Sequence, residues 1–161
     1  MTNEDSVDPG LARVVADADV LAADLLVGGD ARDAIDIVRA HSWVTLVAGE
    51  PLLADAQAVI AELADPGLAS DWRGTVETLV TLVDHAPEDH PALAAAAAGD
   101  ARHILSLDPN LRSAAAGSAI RSRVETSVKH PAAFARLFDP AAVYPVAIGG
   151  AYPGPDRDPR E

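Results

Sequence analysis

Val14-Val15-Ala16-Asp17-Ala18-Asp19-Val20-Leu21 decides how the rest of the chain is read. An apolar run leads directly into two aspartates one residue apart, and helical periodicity begins at once. A short continuous apolar run followed by a helix fits a buried strand of an open α/β sheet. In such sheets ligands sit beyond the carboxyl ends of the strands, so Asp17 and Asp19 stand where function is to be sought.

Outward from this stretch the alternation repeats. Leu11 to Ala16 reads as the first strand, and Val20 to Val27 as a short helix closed by Gly28-Gly29, residues suited to left-handed backbone past a helix end. Asp30 reads as the N-cap of a second helix to about His41, with Ala31, Ala34, Ile35 and Val38 at i, i+3, i+4 and i+7. Trp43 to Ala48, β-branched and apolar, reads as the second strand. Glu50-Pro51 opens a third helix, with proline in the first turn where its missing N–H is not needed.

Asp65-Pro66-Gly67 is expected to break that helix, and Ser70 to cap a fourth carrying Trp72, Val76, Leu79, Val80 and Val83 on one side. An alanine-rich helix spans Pro91 to Ala98, and His103 to Leu107 is a third strand. Asp108-Pro109 starts a short helix to about Ala116, Ala119 to Val124 is a fourth strand, and a last helix carries Phe134, Leu137 and Phe138. Strands alternating with helices predict an α/β domain: a three-layer α/β/α sandwich with a mainly parallel central sheet. One such domain is expected over residues 11–148, with a flexible arm at 1–10 and a Gly/Pro-rich tail, extended or disordered, at 149–161.

The chain has 161 residues, 49% of them hydrophobic, enough for one core of ordinary size. Its net charge is −13, drawn mostly from Asp, and Lys129 is its only lysine. This Asp-rich, Lys-poor composition resembles that of proteins from salt-loving archaea. Strong negative charge ordinarily disfavours nucleic acid, whose binding rests on Lys and Arg. In molar salt the Debye length falls to about 3 Å, and only local charge then counts. Locally the sign reverses: between Arg102 and Phe138, Arg102, Arg112, Arg121, Arg123, Lys129 and Arg136 face only Asp108 and Glu125. Arg112, Arg121, Arg123 and Lys129 are therefore candidate RNA contacts. With no cysteine, thiolate catalysis and Cys-based zinc sites are excluded. No apolar span of about 20 residues is present, and a cytoplasmic location without membrane association is expected.

Four aspartates share one kind of position. Asp17 follows the first strand, Asp55 lies early in the third helix, Asp89 precedes the alanine-rich helix, and Asp108 follows the third strand. A parallel sheet brings strand carboxyl ends and helix starts to one edge, where gathered carboxylates repel unless a cation neutralises them. Hard divalent ions, Mg2+ or Mn2+, suit such oxygen ligands.

The order of these segments resembles the PIN domain family of ribonucleases. The first-strand motif of that family is matched by Asp17-Ala18-Asp19-Val20-Leu21, and its second acid by Leu52-Leu53-Ala54-Asp55-Ala56. Its third acid is matched by Asp89 before Pro91-Ala92-Leu93, and its fourth by Ser106-Leu107-Asp108. Ser127-Val128-Lys129-His130-Pro131-Ala132-Ala133-Phe134 matches its closing segment, so the resemblance spans roughly residues 12–138. It implies a metal-dependent endoribonuclease acting on single-stranded RNA, often a dimer and often the toxin of a toxin–antitoxin pair. Asp17, Asp55, Asp89 and Asp108 would be catalytic, Asp17, Asp89 and Asp108 would hold the metal, and Asp19 and Ser106 would support them. Two alternatives are carried: a non-catalytic PIN-like domain that binds RNA or protein, and a haloacid-dehalogenase-like phosphatase using Asp17 and Asp19 as its Asp-x-Asp pair.

Overall fold

The computed structural model of the chain describes residues 7–85, 90–109 and 127–158. The fold grows from β1, Arg13–Ala16, whose Val14, Val15 and Ala16 are fully buried. A strand covered on both faces cannot alternate apolar with polar residues, which is why this one reads as a continuous apolar run. It is followed by α1 (Ala18–Leu26), α2 (Gly29–Ala40), β2 (Thr45–Gly49), α3 (Glu50–Leu63), α4 (Pro66–Leu79) and β3 (Val80–Val83). Beyond these come α5 (Pro91–Gly99), β4 (His103–Leu105), β5 (Ser127–Lys129), α6 (Pro131–Leu137) and α7 (Pro140–Ala147).

The strands form one parallel sheet in the order β3-β2-β1-β4-β5. Register places Val14 beside Leu46 and His103, so these share a face, and Phe134 of α6 packs edge-on against His103 there. α2 packs on α6 and α1, α1 on α3, and α3 on α4, completing that layer. Val47 points to the opposite face, where α5 lies. A Cβ at Gly99 would come within 2.6 Å of the Val47 side chain, so the small residues of α5 set how closely helix and sheet approach. The result is the expected three-layer α/β/α sandwich. Its core is built from Val14, Val15, Val20, Ile35, Val38, Leu46, Leu52, Leu53, Ile60, Ile104, Leu105 and Phe134.

Several boundaries depart from the sequence reading. Asp65 caps α4, its carboxylate accepting from Leu68 N at 2.9 Å, with Pro66 in the first turn. Asp65-Pro66 is thus a helix start, and Ser70 lies inside the helix. Val80 and Val83 are not helical: α4 passes straight into β3, a Val-Thr-Leu-Val segment whose β-branched residues pair with β2. Asp30 lies inside the first turn of α2, because Gly28 at φ 84° takes the capping position. α7 is an additional helix, capped by Asp139. The short helix after Asp108-Pro109 and the strand at Ala119 to Val124 lie almost wholly outside the described residues.

The two ends of the described chain are held against the body. Asp8 N donates to Val146 O at 2.9 Å, ahead of a short 3-10 turn, Pro9–Ala12. The tail after α7 has no regular structure, yet Asp156 and Arg157 donate their amides to Ala40 O, and Asp156 accepts from both the amide and the hydroxyl of Ser42. Tyr152 meets His41 at 2.7 Å through its hydroxyl and edges onto Trp43.

Candidate functional site

Strand order reverses between β1 and β4: the chain leaves β1 toward β2 and β3, then crosses back to β4 on the other side. In open α/β sheets such a switch point is where a ligand crevice lies, outside the strand carboxyl ends, and the loops after β1 and β4 meet there. Asp17 and Asp19 enter it from β1, and Ser106, Leu107 and Asp108 from β4.

Asp17 carries the sheet into the helix. Its amide donates to Leu105 O at 2.8 Å, and its Oδ1 caps α1 by accepting from Ala18 N at 2.8 Å. Its Oδ2 accepts from Ser106 Oγ at 3.0 Å. Ser106 is wholly buried, and its amide continues the sheet by donating to Lys129 O. The same hydroxyl oxygen accepts from Asp108 N at 3.1 Å, so one serine joins the two acidic loops. Asp19, in the first turn of α1, reaches across to accept from Leu107 N at 3.2 Å through Oδ2. Its Oδ1 is buried and has no hydrogen-bond partner.

The electrostatics follow from this crowding. Burial pushes the Asp19 carboxyl up from 3.8 to about 6; the nearby charge of Asp17, and to a smaller extent that of Asp108, adds to the rise. The Leu107 and Val20 amides oppose it. Asp19, which sequence reading gave only a supporting place, is thus a crowded and desolvated charge at the centre of the site. The signal for it was present: two residues after an N-capping aspartate, a side chain still lies in the first helical turn and faces the same crevice.

Asp17, Asp19, Ser106 and Asp108 are brought together. Asp55 is exposed on α3 and is not among the charges that act on Asp19. Asp89, Arg112, Arg121 and Arg123 lie outside the described residues. Lys129 ends β5 in register with Leu105, next to the crevice, and burial lowers its amine below the usual lysine range. It donates to Ser127 Oγ. Among the described residues, no three His, Asp or Glu side chains form a ready metal-binding group. The donor set is nonetheless of the right chemistry for a hard cation: carboxylate oxygens in mutual repulsion, one of them buried without a donor. Asp17, Asp108 and Asp19 are the described residues that would hold it.

No curated protein and no solved structure matches the chain. Residues 8–160 match a family of unknown function, DUF7384. The match runs over nearly the whole length, and the chain belongs to that family.

Proposed function

We propose that this protein is a PIN-like endoribonuclease that uses Mg2+ or Mn2+ to hydrolyse phosphodiester bonds of single-stranded RNA. The observation that carries the reading is the joining of Asp17, Asp19 and Asp108 around Ser106 at the β1/β4 crevice, with the Asp19 Oδ1 buried and lacking a donor. Asp17 and Asp108 would hold the metal with Asp19 beside them, Asp89, outside the described residues, would be a further ligand, and Asp55 would serve as the further acid. The chemistry supplied on metal binding is acidification of a water and neutralisation of charge on the phosphate.

The chain's own residues have distinct tasks. Ser106 fixes the Asp17 carboxylate by donating its hydroxyl, and the same hydroxyl oxygen accepts from the backbone amide of Asp108, so the Asp108 backbone is held at the sheet edge beside Asp17. The Leu107 amide holds Asp19 by one oxygen and leaves the other directed inward. Lys129, beside the same edge, and Arg112, Arg121 and Arg123 bind the RNA backbone; a desolvated amine binds a phosphate more strongly than one in water. The cell's cytoplasm, a homodimer and an antitoxin partner complete the proposal.

A second reading, a non-catalytic PIN-like domain, is favoured by the exposure of Asp55 and its separation from the charges acting on Asp19. The two readings part in one experiment: cleavage of a labelled single-stranded RNA in concentrated potassium chloride with Mn2+ or Mg2+, comparing the wild type with Asp17→Asn and Asp108→Asn. Metal-dependent cutting that both substitutions abolish supports the nuclease. No cutting of varied RNAs by a folded protein supports the binding domain, and a phosphorylated Asp17 during phosphomonoester turnover would replace both with the phosphatase.

A further inference from the structure

The carboxyl edge of the sheet carries a further feature, on β2 and β3 rather than on β1 and β4. Gly49 ends β2 with φ −104° and ψ 166°, extended backbone that any residue adopts. Its conformation does not call for glycine, and glycine in a strand gives up side-chain packing where another group approaches closely. That group is His85. A Cβ at Gly49 would lie 2.5 Å from His85 Nε2 and 2.8 Å from its Cδ2, so the absent side chain makes room for the imidazole.

Register places this ring beside the acids. Gly49 pairs with Val83 of β3, two residues before His85. On its other side β2 pairs with β1 through Leu46 and Val14, and three further residues along each strand bring Asp17 level with Gly49. Neighbouring strands lie about 4.8 Å apart. By the two-residue period Gly49 shares the α5 face with Val47, and the Val83 side chain, 3.3 Å from where a Cβ of Gly99 would lie, is on that face too. The ring thus extends from the end of β3 across β2, with its Nε2–Cδ2 edge over Gly49, one strand from Asp17. The sheet order β3-β2-β1-β4 delivers His85, Gly49, Asp17 and Ser106 in sequence along one edge.

We infer that His85 is a substrate-binding residue of the same site: its Nε2 donates a hydrogen bond to a non-bridging oxygen of an RNA phosphate lying at Asp17 and Asp108. The inference rests on the RNA reading above, though not on hydrolysis. Ionised carboxylates only accept and repel a phosphate, so an acidic edge needs donors at its flanks, and an imidazole with its proton on Nε2 is one. Lys129 on β5 stands on the opposite flank, beyond β4.

The probe is fluorescein-labelled decauridylate, followed by anisotropy against the full chain in concentrated potassium chloride with Ca2+, beside cleavage with Mn2+. Each variant is compared where urea unfolding shows it folded. His85→Ala is expected to weaken binding roughly fivefold, as for the loss of one hydrogen bond to an ion. Gly49→Ala, whose methyl displaces the ring, weakens it to a similar extent and adds nothing in the His85→Ala chain, where no ring remains to displace. His85→Gln, which carries an N–H to a similar reach, restores affinity to within about twofold of the wild type, a rescue that a ring used only for packing would not show. Unchanged affinity in His85→Ala, equal losses in His85→Ala and His85→Gln, or additive losses in the double variant each overturns the assignment. No binding by the wild type overturns it together with the RNA reading, whereas RNA held through His85 but never cut supports the contact and removes hydrolysis alone.

Discussion

Asp19→Asn should make the metal-free protein more stable, and only above a defined pH. In the folded chain the Asp19 carboxyl is raised from 3.8 to about 6, chiefly by burial. A proton affinity raised by about two powers of ten corresponds to roughly 3 kcal/mol of unfavourable ionisation. Asp19 keeps partial access to solvent, and screening reduces this to about 1–2 kcal/mol. A raised folded value means that the protonated form contributes stability in full below the unfolded value of 3.8, and that this contribution is lost as pH rises through about 6. Asparagine keeps an oxygen for the Leu107 amide and places a neutral group where Oδ1 is buried without a donor. Urea unfolding of both proteins with a chelator present, from pH 4 to 8, should give curves that diverge between pH 4 and 6 and run parallel above 7. Molar KCl should narrow the gap by weakening the Asp17 and Asp108 contributions without closing it, since desolvation survives screening. Adding Mn2+ at pH 8 should then stabilise the wild type more than the variant. A stability difference independent of pH would refute the account of Asp19 as a crowded, desolvated charge.

Other consequences are equally open to measurement. Ser106→Ala removes a buried hydroxyl that serves both Asp17 and Asp108 N, and should lower stability by about 1–3 kcal/mol in chemical denaturation. Gly99→Ala drives a methyl into Val47 at 2.6 Å and should cost about 1–3 kcal/mol by the same measurement. His103 is lowered from 6.5 to about 4 by burial and by Lys129, so the stability gained from its neutral ring is full above 6.5 and is lost as pH falls from there to about 4, while the folded ring itself takes up its proton only near 4; NMR titration should find the ring neutral at pH 5. Asp156 is held below the usual carboxylate range by Ser42, so the tail contact persists above pH 3.8 and loosens as pH drops through the lowered value, visible as faster amide exchange at residues 152–158.

The strands and helices around β1 were legible because their residues obey one period each. Val14 to Ala16 is apolar throughout, as a central parallel strand must be, and α2 shows its buried stripe at Ala31, Ala34, Ile35 and Val38 without interruption. β3 was not legible. Val80 and Val83 continue the spacing of Trp72, Val76 and Leu79, and only tertiary pairing with β2 turns them into a strand. Asp65-Pro66 was read as a stop because both roles use the same residues; the Leu68 amide accepted by its carboxylate decides for a start. Of the site, the meeting of the β1 and β4 loops followed from parallel topology. The hydroxyl bridge at Ser106 and the dominance of Asp19 did not, since they depend on burial that no spacing rule states. In the tail, Asp156 and Tyr152 find partners more than a hundred residues earlier, beyond the reach of local patterns.

Those distant partners bear on how the molecule is made. On a ribosome, Ser42 and His41 emerge long before Tyr152 and Asp156, and the chain between them must be synthesised before these contacts can close. Until then Trp43 lacks the two tyrosines, Tyr144 and Tyr152, that flank it in the finished protein. Closure of this seam is therefore expected as a late step of refolding, with Trp43 emission lagging behind helix formation.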